Sequence, residues 1–131
     1  MWTLKNILAL GLFLFGTTFL WMTASFAGRV PPPTGTAWTF VNGLALAAVA
    51  GFTVAGGAVF KTYSWWPTVA LLSAVVGLIA AVPFVVGLRQ IRVALTDPGV
   101  QINLWLHLLG SAVVVAMTLV PAVRGWVVHR L

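Results

Sequence analysis

The last apolar stretch of the chain carries the side chains best suited to chemistry. They are polar residues at helical spacing within an uncharged run: Asn103, His107, Ser111 and Thr118. At 100° per residue they fall within an arc of about 100°, so one face of a helix would present all four. Asn42, near the start of the second apolar stretch, lies toward the same membrane surface and could meet this face. Polar groups inside a membrane span are the usual pointer to function, so these five residues form the candidate ligand-binding set.

His107 is the only ionisable side chain inside the apolar runs. An imidazole can ligate haem or a metal, contact a quinone or relay a proton. It can equally bond across helices to Asn42, Thr53 or a backbone carbonyl. His107 lies about 9 Å along a helix axis from Gln101, in the outer third of the membrane, which favours the structural role. A haem held by two histidines of one chain is excluded, because His129 lies roughly 33 Å further along the axis.

Composition excludes several kinds of active site. The sequence has no cysteine, which removes disulfides, thiol catalysis and cysteine-ligated metals. Its one acid, Asp97, precedes Pro98 and is explained as a helix cap. No Ser-His-Asp set, phosphate-binding glycine loop or zinc motif is present. We therefore predict no catalytic residue, no metal site and no cofactor. An enzyme that used His107 as a base would lack a partner to orient it.

Hydrophobicity and charge predict a membrane protein. Of 131 residues, 61% are hydrophobic and 6% charged, whereas a soluble domain carries about 25% charged residues. The net charge of +6 comes from cations scattered between apolar runs. Because no basic stripe could track phosphates, nucleic-acid binding is excluded. The expected partner of these cations is the lipid bilayer, whose anionic headgroups attract each of them by about 1 kcal/mol.

Four apolar runs are long enough to cross a bilayer. At 1.5 Å per residue, each run of about 21 to 24 residues spans a hydrocarbon core of about 30 Å. The sequence predicts an all-α integral membrane protein, a four-helix up-down bundle in a single transmembrane domain, 1–131. The predicted spans are 7–27, 38–60, 65–88 and 101–123. Pro83 lies inside the third span and should bend it.

The first span has a second interpretation. Lys5 ahead of an apolar run that ends in Ser25, Phe26 and Ala27 also fits a signal peptide cleaved after Ala27. The run is long for the apolar core of a signal peptide, which favours a retained helix.

Small residues recur at every fourth position in the second and third spans. The second span carries Gly43, Ala47, Gly51 and Ala55, and the third carries Ser73, Gly77 and Ala81. Such spacing stacks small residues along one side of a helix, so that a neighbouring helix can approach closely. These seven residues are the predicted helix-packing positions.

Tryptophans and cations suggest how the spans are placed. All seven tryptophans fall near predicted membrane surfaces: Trp2, Trp65, Trp66 and Trp126 at one, Trp21, Trp38 and Trp105 at the other. Four cations lie on the surface that holds both termini and three on the opposite surface. This bias favours termini in the cytoplasm of a multi-pass cell-membrane protein. The excess of Arg over Lys, with plentiful Ala, Val and Gly, favours a bacterial inner membrane.

Two resemblances bear on function. Small multidrug antiporters are four-helix proteins of about this length, but they depend on an intramembrane Glu in the first helix, and this sequence contains no Glu. The tetrapeptide Ser64-Trp65-Trp66-Pro67 resembles the small four-helix subunit IV of actinobacterial-type cytochrome c oxidases. That resemblance covers four residues and implies an accessory subunit of a respiratory complex.

Abundant packing features and scarce reactive groups give the functional prediction. We expect a small multi-pass membrane protein that acts through helix–helix contacts, as an accessory or assembly subunit or as a homo-oligomer. The alternative is a membrane binder or conductor of a small hydrophobic ligand, quinone or haem. It would use the Asn103, His107 and Ser111 face of the fourth span.

Overall fold

The computed structural model describes residues 2–131, which form five helices and no strand. The helices are α1 (Leu4–Thr18), α2 (Thr36–Phe60), α3 (Trp66–Gln90), α4 (Pro98–Leu119) and α5 (Pro121–Val128). Four apolar helices, counting α1 together with the turn that follows it, are long enough to cross a membrane. The prediction of an all-α helical bundle is confirmed.

Helices α2 and α3 are the central pair of the bundle. α1 packs against α2, and α4 packs against α3. The centre is built mainly from alanines without exposed surface: Ala45, Ala48, Ala55, Ala70, Ala74 and Ala80. Short side chains leave the helix backbones close together, which increases van der Waals contact where lipid provides no hydrophobic drive.

The ends of α2 and α3 follow the same pattern. In each, the residue after the C-cap adopts a left-handed conformation, Thr62 at φ 59° and Arg92 at φ 58°. Two backbone amides then return to the last turn, as in a Schellman motif. Tyr63 donates to the Ala58 carbonyl at 2.8 Å, and Val93 donates to the Leu88 carbonyl at 3.0 Å. These closures reverse the chain within a few residues.

The start of α4 forms as the sequence predicts. The Asp97 carboxylate accepts from the amides of Gly99 and Val100 at 3.0 and 3.2 Å, and Pro98 is the first helical residue.

Two of the predicted spans are interrupted. The first, predicted over 7–27, is an α-helix only to Thr18 and continues as 3-10 turns at Phe19–Met22 and Ala24–Phe26. The fourth, predicted over 101–123, ends at Leu119, because the residue before Pro121 is forced out of the helical region. The third span runs through Pro83 as one helix.

Trp38, in the first turn of α2, packs inside the bundle against α3. Its side chain is only 1% exposed and packs edge-on against Phe84, with ring centroids 6.3 Å apart. Gly87 provides the space, since a Cβ there would lie 2.8 Å from the Trp38 ring. Trp66 is buried as well, whereas the other five tryptophans are exposed.

The four-residue stripe of α2 does not form one contact surface within the chain. Gly43 and Ala47 are exposed, and no atom lies within 4 Å of a Cβ built on Gly43. Gly51 lies against Ser73 of α3, and Ala55 is fully buried. Each four-residue step turns 400°, so the stripe advances about 40° per step and winds from the outer face into the bundle. The α3 positions Ser73, Gly77 and Ala81 are all buried.

Adjacent glycines in α2 provide a test of close packing. A Cβ on Gly56 would lie 2.7 Å from the Ala9 carbonyl of α1, whereas a Cβ on Gly57 meets nothing within 4 Å. We expect Gly56→Ala to lower the free energy of unfolding in detergent by about 1–3 kcal/mol through overpacking. Gly57→Ala should raise it by roughly 0.5–1 kcal/mol through helix propensity. Equal effects of the two substitutions, measured by denaturant titration, would contradict this packing.

Candidate functional site

The candidate polar residues surround the point where α1 stops being helical. After Thr18 the chain makes two 3-10 turns, and Thr23 between them is extended, with φ −68° and ψ 158°. The hydroxyls of Thr17 and Thr18 donate back to carbonyls three residues earlier, at 2.7 and 2.6 Å. A broken helix frees backbone amides and carbonyls, and in lipid these must find partners inside the protein.

Two asparagines supply those partners. The Ala24 amide donates to Asn42 Oδ1 of α2 at 2.9 Å. Asn103 of α4 donates through Nδ2 to the Trp21 carbonyl, also at 2.9 Å. Side chains from two different helices therefore hold the segment after α1 from both sides.

His107 joins α4 to the last turn of α1. Its side chain is 1% exposed, and Nδ1 lies 2.7 Å from the Asn103 carbonyl of its own helix. Because a carbonyl only accepts, Nδ1 carries the proton in that bond. Nε2, which then accepts, lies 3.1 Å from Thr18 Oγ1, whose single proton is shared between Nε2 and the Phe15 carbonyl. Both ring nitrogens are thus engaged, one with a carbonyl of the same helix and the other, across helices, with a threonine. Neither Asn42 nor Thr53 bonds the ring.

Phe19 fills the space beside His107. Its side chain has no exposed surface, and its ring centroid lies 4.4 Å from that of His107. It stacks on Phe52 at 5.8 Å and meets Phe15 edge-on at 5.3 Å. A Cβ on Gly77 would lie 2.5 Å from the Phe19 ring, so glycine is required there for the ring to fit. This aromatic cluster closes the bundle around the imidazole.

The remaining polar residues of α4 face the same interior. Ser111 is fully buried, and within residues 2–131 its hydroxyl has no hydrogen-bond partner. It lies close to Gly77, where a built Cβ would be 3.1 Å from Ser111 Oγ. Thr118 is buried, and its hydroxyl donates to the Val114 carbonyl at 2.9 Å. The structure therefore brings Asn103, His107 and Ser111 to one face and leaves Thr118 bonded within its own helix.

No group of three or more His, Asp or Glu side chains that could hold a metal ion occurs in the part of the chain that the structure describes. Asn42 and Asn103 bond freed backbone groups after α1, and His107 bonds Thr18, so these three contacts join α1, α2 and α4.

Thr18 and Phe19 are the site residues that sequence reasoning missed. Thr17 and Thr18 both bond carbonyls of their own helix. The second bond of Thr18, to His107, joins residues 89 apart in the sequence, and no local pattern signals it. In the sequence, Phe19 is one more apolar residue of a long apolar run.

Comparison with protein-family models, with curated proteins and with solved structures finds no match for this chain.

Substitution of Asn42 tests whether the asparagines hold the broken helix. We expect Asn42→Leu to leave the Ala24 amide without a partner and to cost about 1–3 kcal/mol of unfolding free energy. Asn6→Leu is the matched control, because the Asn6 side-chain amide bonds no group within residues 2–131. It should change stability by no more than about 0.5 kcal/mol. The measurement is denaturant titration in a mild detergent, and equal losses in the two variants would contradict the assignment.

Proposed function

We propose that this chain is a multi-pass protein of a bacterial inner membrane that works through lateral helix–helix contact. It would serve as an accessory or assembly subunit or as a homo-oligomer. The observation that carries the proposal is a row of small residues on the outer face of α2: Gly43, Ala47, Ala50 and Gly57.

At 100° per residue these four residues fall within about 80° of one another. Val54, which is 51% exposed, lies in the same arc between Ala50 and Gly57, so a shallow groove runs along Gly43, Ala47 and Ala50. All four are exposed, and a Cβ on Gly43 or Gly57 would meet no atom within 4 Å. Phe40 and Leu46 flank the row and are 59% and 53% exposed. Small residues facing acyl chains bring no benefit to a lone bundle, but they allow the backbone of another helix to approach.

The polar face of α4 gives less support to a ligand-binding role. His107 is buried, and both of its nitrogens already have partners within the chain. A haem or metal would have to break one of those bonds to gain a ligand. Helix–helix contact therefore explains more of the structural features than ligand binding does.

The orientation that we propose places both termini in the cytoplasm. The end of the bundle with the 61–64 turn also carries Lys5, Lys61, Arg124 and Arg130, against three arginines at the other end. The excess follows the positive-inside tendency of membrane proteins.

Two glycines on outer faces allow a matched test of the contact. Gly43 lies in the groove of α2 and Gly11 on the outer face of α1, and a Cβ on either meets no atom within 4 Å. Neither Gly43→Leu nor Gly11→Leu should disturb the bundle itself. We expect Gly43→Leu to weaken association at least about tenfold, since a leucine there holds the partner helix away.

The measurement is the size of the complex on native gels after mild-detergent extraction from the native membrane, and again after purification from cells expressing the chain alone. An assembly that persists in the second case is a homo-oligomer; one seen only in the first is a complex with another subunit. Gly11→Leu should keep the wild-type size in either preparation. A Gly43→Leu complex of undiminished stability, or equal loss in both variants, would overturn the proposal.

A further inference from the structure

A cavity of about 640 Å³ separates α5 from the turn between α2 and α3. α5 contributes Pro121, Arg124 and Val128, which share one face of the helix by their spacing. The opposite wall comes from Tyr63, Ser64 and Trp66. The helix and the turn therefore stand apart, although both belong to the same end of the bundle.

The cavity is apolar in its depth and polar at its rim. Trp66 and Pro67 are buried at its wall, whereas Tyr63, Ser64 and Arg124 are exposed. The hydroxyls of Tyr63 and Ser64 and the Arg124 guanidinium make no hydrogen bond to any group within residues 2–131. These groups offer donors that the rest of the bundle leaves free.

No acidic side chain neutralises Arg124. The only acid of the sequence is Asp97, which caps the start of α4. The cavity adjoins the other end of α4, 22 residues away, which corresponds to about 33 Å. Leu131 also lines the cavity, and no acidic side chain does. A cation beside hydroxyl donors attracts an anion.

The apolar depth and the polar rim of the cavity together suit an amphiphilic ligand. We propose that it binds an anionic phospholipid, with the phosphate at Arg124 and the hydroxyls and the first part of an acyl chain against Trp66 and Pro67. A guanidinium presents paired donors that match two phosphate oxygens. The exposed Trp65 and Trp126 belong to the same end of the bundle, at the level where tryptophans meet lipid headgroups. Free inorganic phosphate shares the headgroup chemistry, but it would leave the apolar depth unfilled.

Arg130 provides a matched control for Arg124. It lies just beyond α5, carries the same charge and is absent from the cavity wall. Its guanidinium stands 4.2 Å above the Trp126 ring. A lipid attracted by net charge alone would respond equally to loss of either arginine.

The test is native mass spectrometry of the delipidated full chain in detergent, titrated with dioleoyl phosphatidylglycerol or dioleoyl phosphatidylcholine. Wild-type protein should hold one phosphatidylglycerol in preference to phosphatidylcholine. Arg124→Gln should weaken phosphatidylglycerol binding about fivefold, the equivalent of roughly 1 kcal/mol for one cation, and leave phosphatidylcholine unchanged. Arg130→Gln should keep the wild-type affinity. Equal affinities for the two lipids, equal losses in the two variants, or no loss in Arg124→Gln would overturn the proposal.

Two further arms separate the lipid from a free anion. Gly125→Leu adds a side chain at the cavity wall, where no atom lies within 4 Å of a built Cβ, and should weaken binding of the lipid. Unchanged binding in that variant would contradict the site. Millimolar inorganic phosphate should not displace phosphatidylglycerol; displacement would assign the site to a free anion instead. The proposal does not depend on the α2 contact, because the masses in the same spectra report oligomeric state separately from lipid binding.

Discussion

A backbone group freed from a helix inside a membrane has no water to bond, and this constraint governs the end of α1. The helix stops at Thr18, and the chain continues in 3-10 turns with freed amides and carbonyls. Asn42 accepts from one freed amide, and Asn103 donates to one freed carbonyl. His107 bonds the hydroxyl of Thr18, the last residue of the helix. The polar residues that resemble a reaction site therefore tie three helices together.

The same arrangement determines which positions can accommodate a large side chain. Phe19 is fully buried against Gly77, so α3 must carry glycine where the broken end of α1 packs. Elsewhere contact comes from the absence of side chains, as where Gly56 meets the Ala9 carbonyl. α2 has small residues on two opposite faces, and only the inner face is used within the chain. The outer face is where we propose that lateral contact with another helix occurs.

Hydropathy and length were enough to predict four apolar helices in an all-α bundle, because each run had to bridge the same thickness of lipid. The end of the fourth helix could also have been predicted, since the residue before Pro121 resists the helical conformation. The break in α1 could not, because it depends on Asn42 and Asn103, which are distant in sequence from Ala24 and Trp21. The α2 stripe winds from the outer face into the bundle because a four-residue repeat drifts around a helix. The burial of Trp38 could not be predicted, because its pocket is opened by the distant Gly87.

The most direct measurement is solid-state NMR of labelled protein in lipid bilayers, with carbon chemical shifts assigned from Leu4 to Ala27. We expect helical shifts as far as Thr18 and extended-type Cα and Cβ shifts at Thr23, whose ψ is 158°. Helical shifts that continue unbroken through Thr23 to Ala27 would contradict the account. Asn42 and Asn103 would then have no freed backbone to hold.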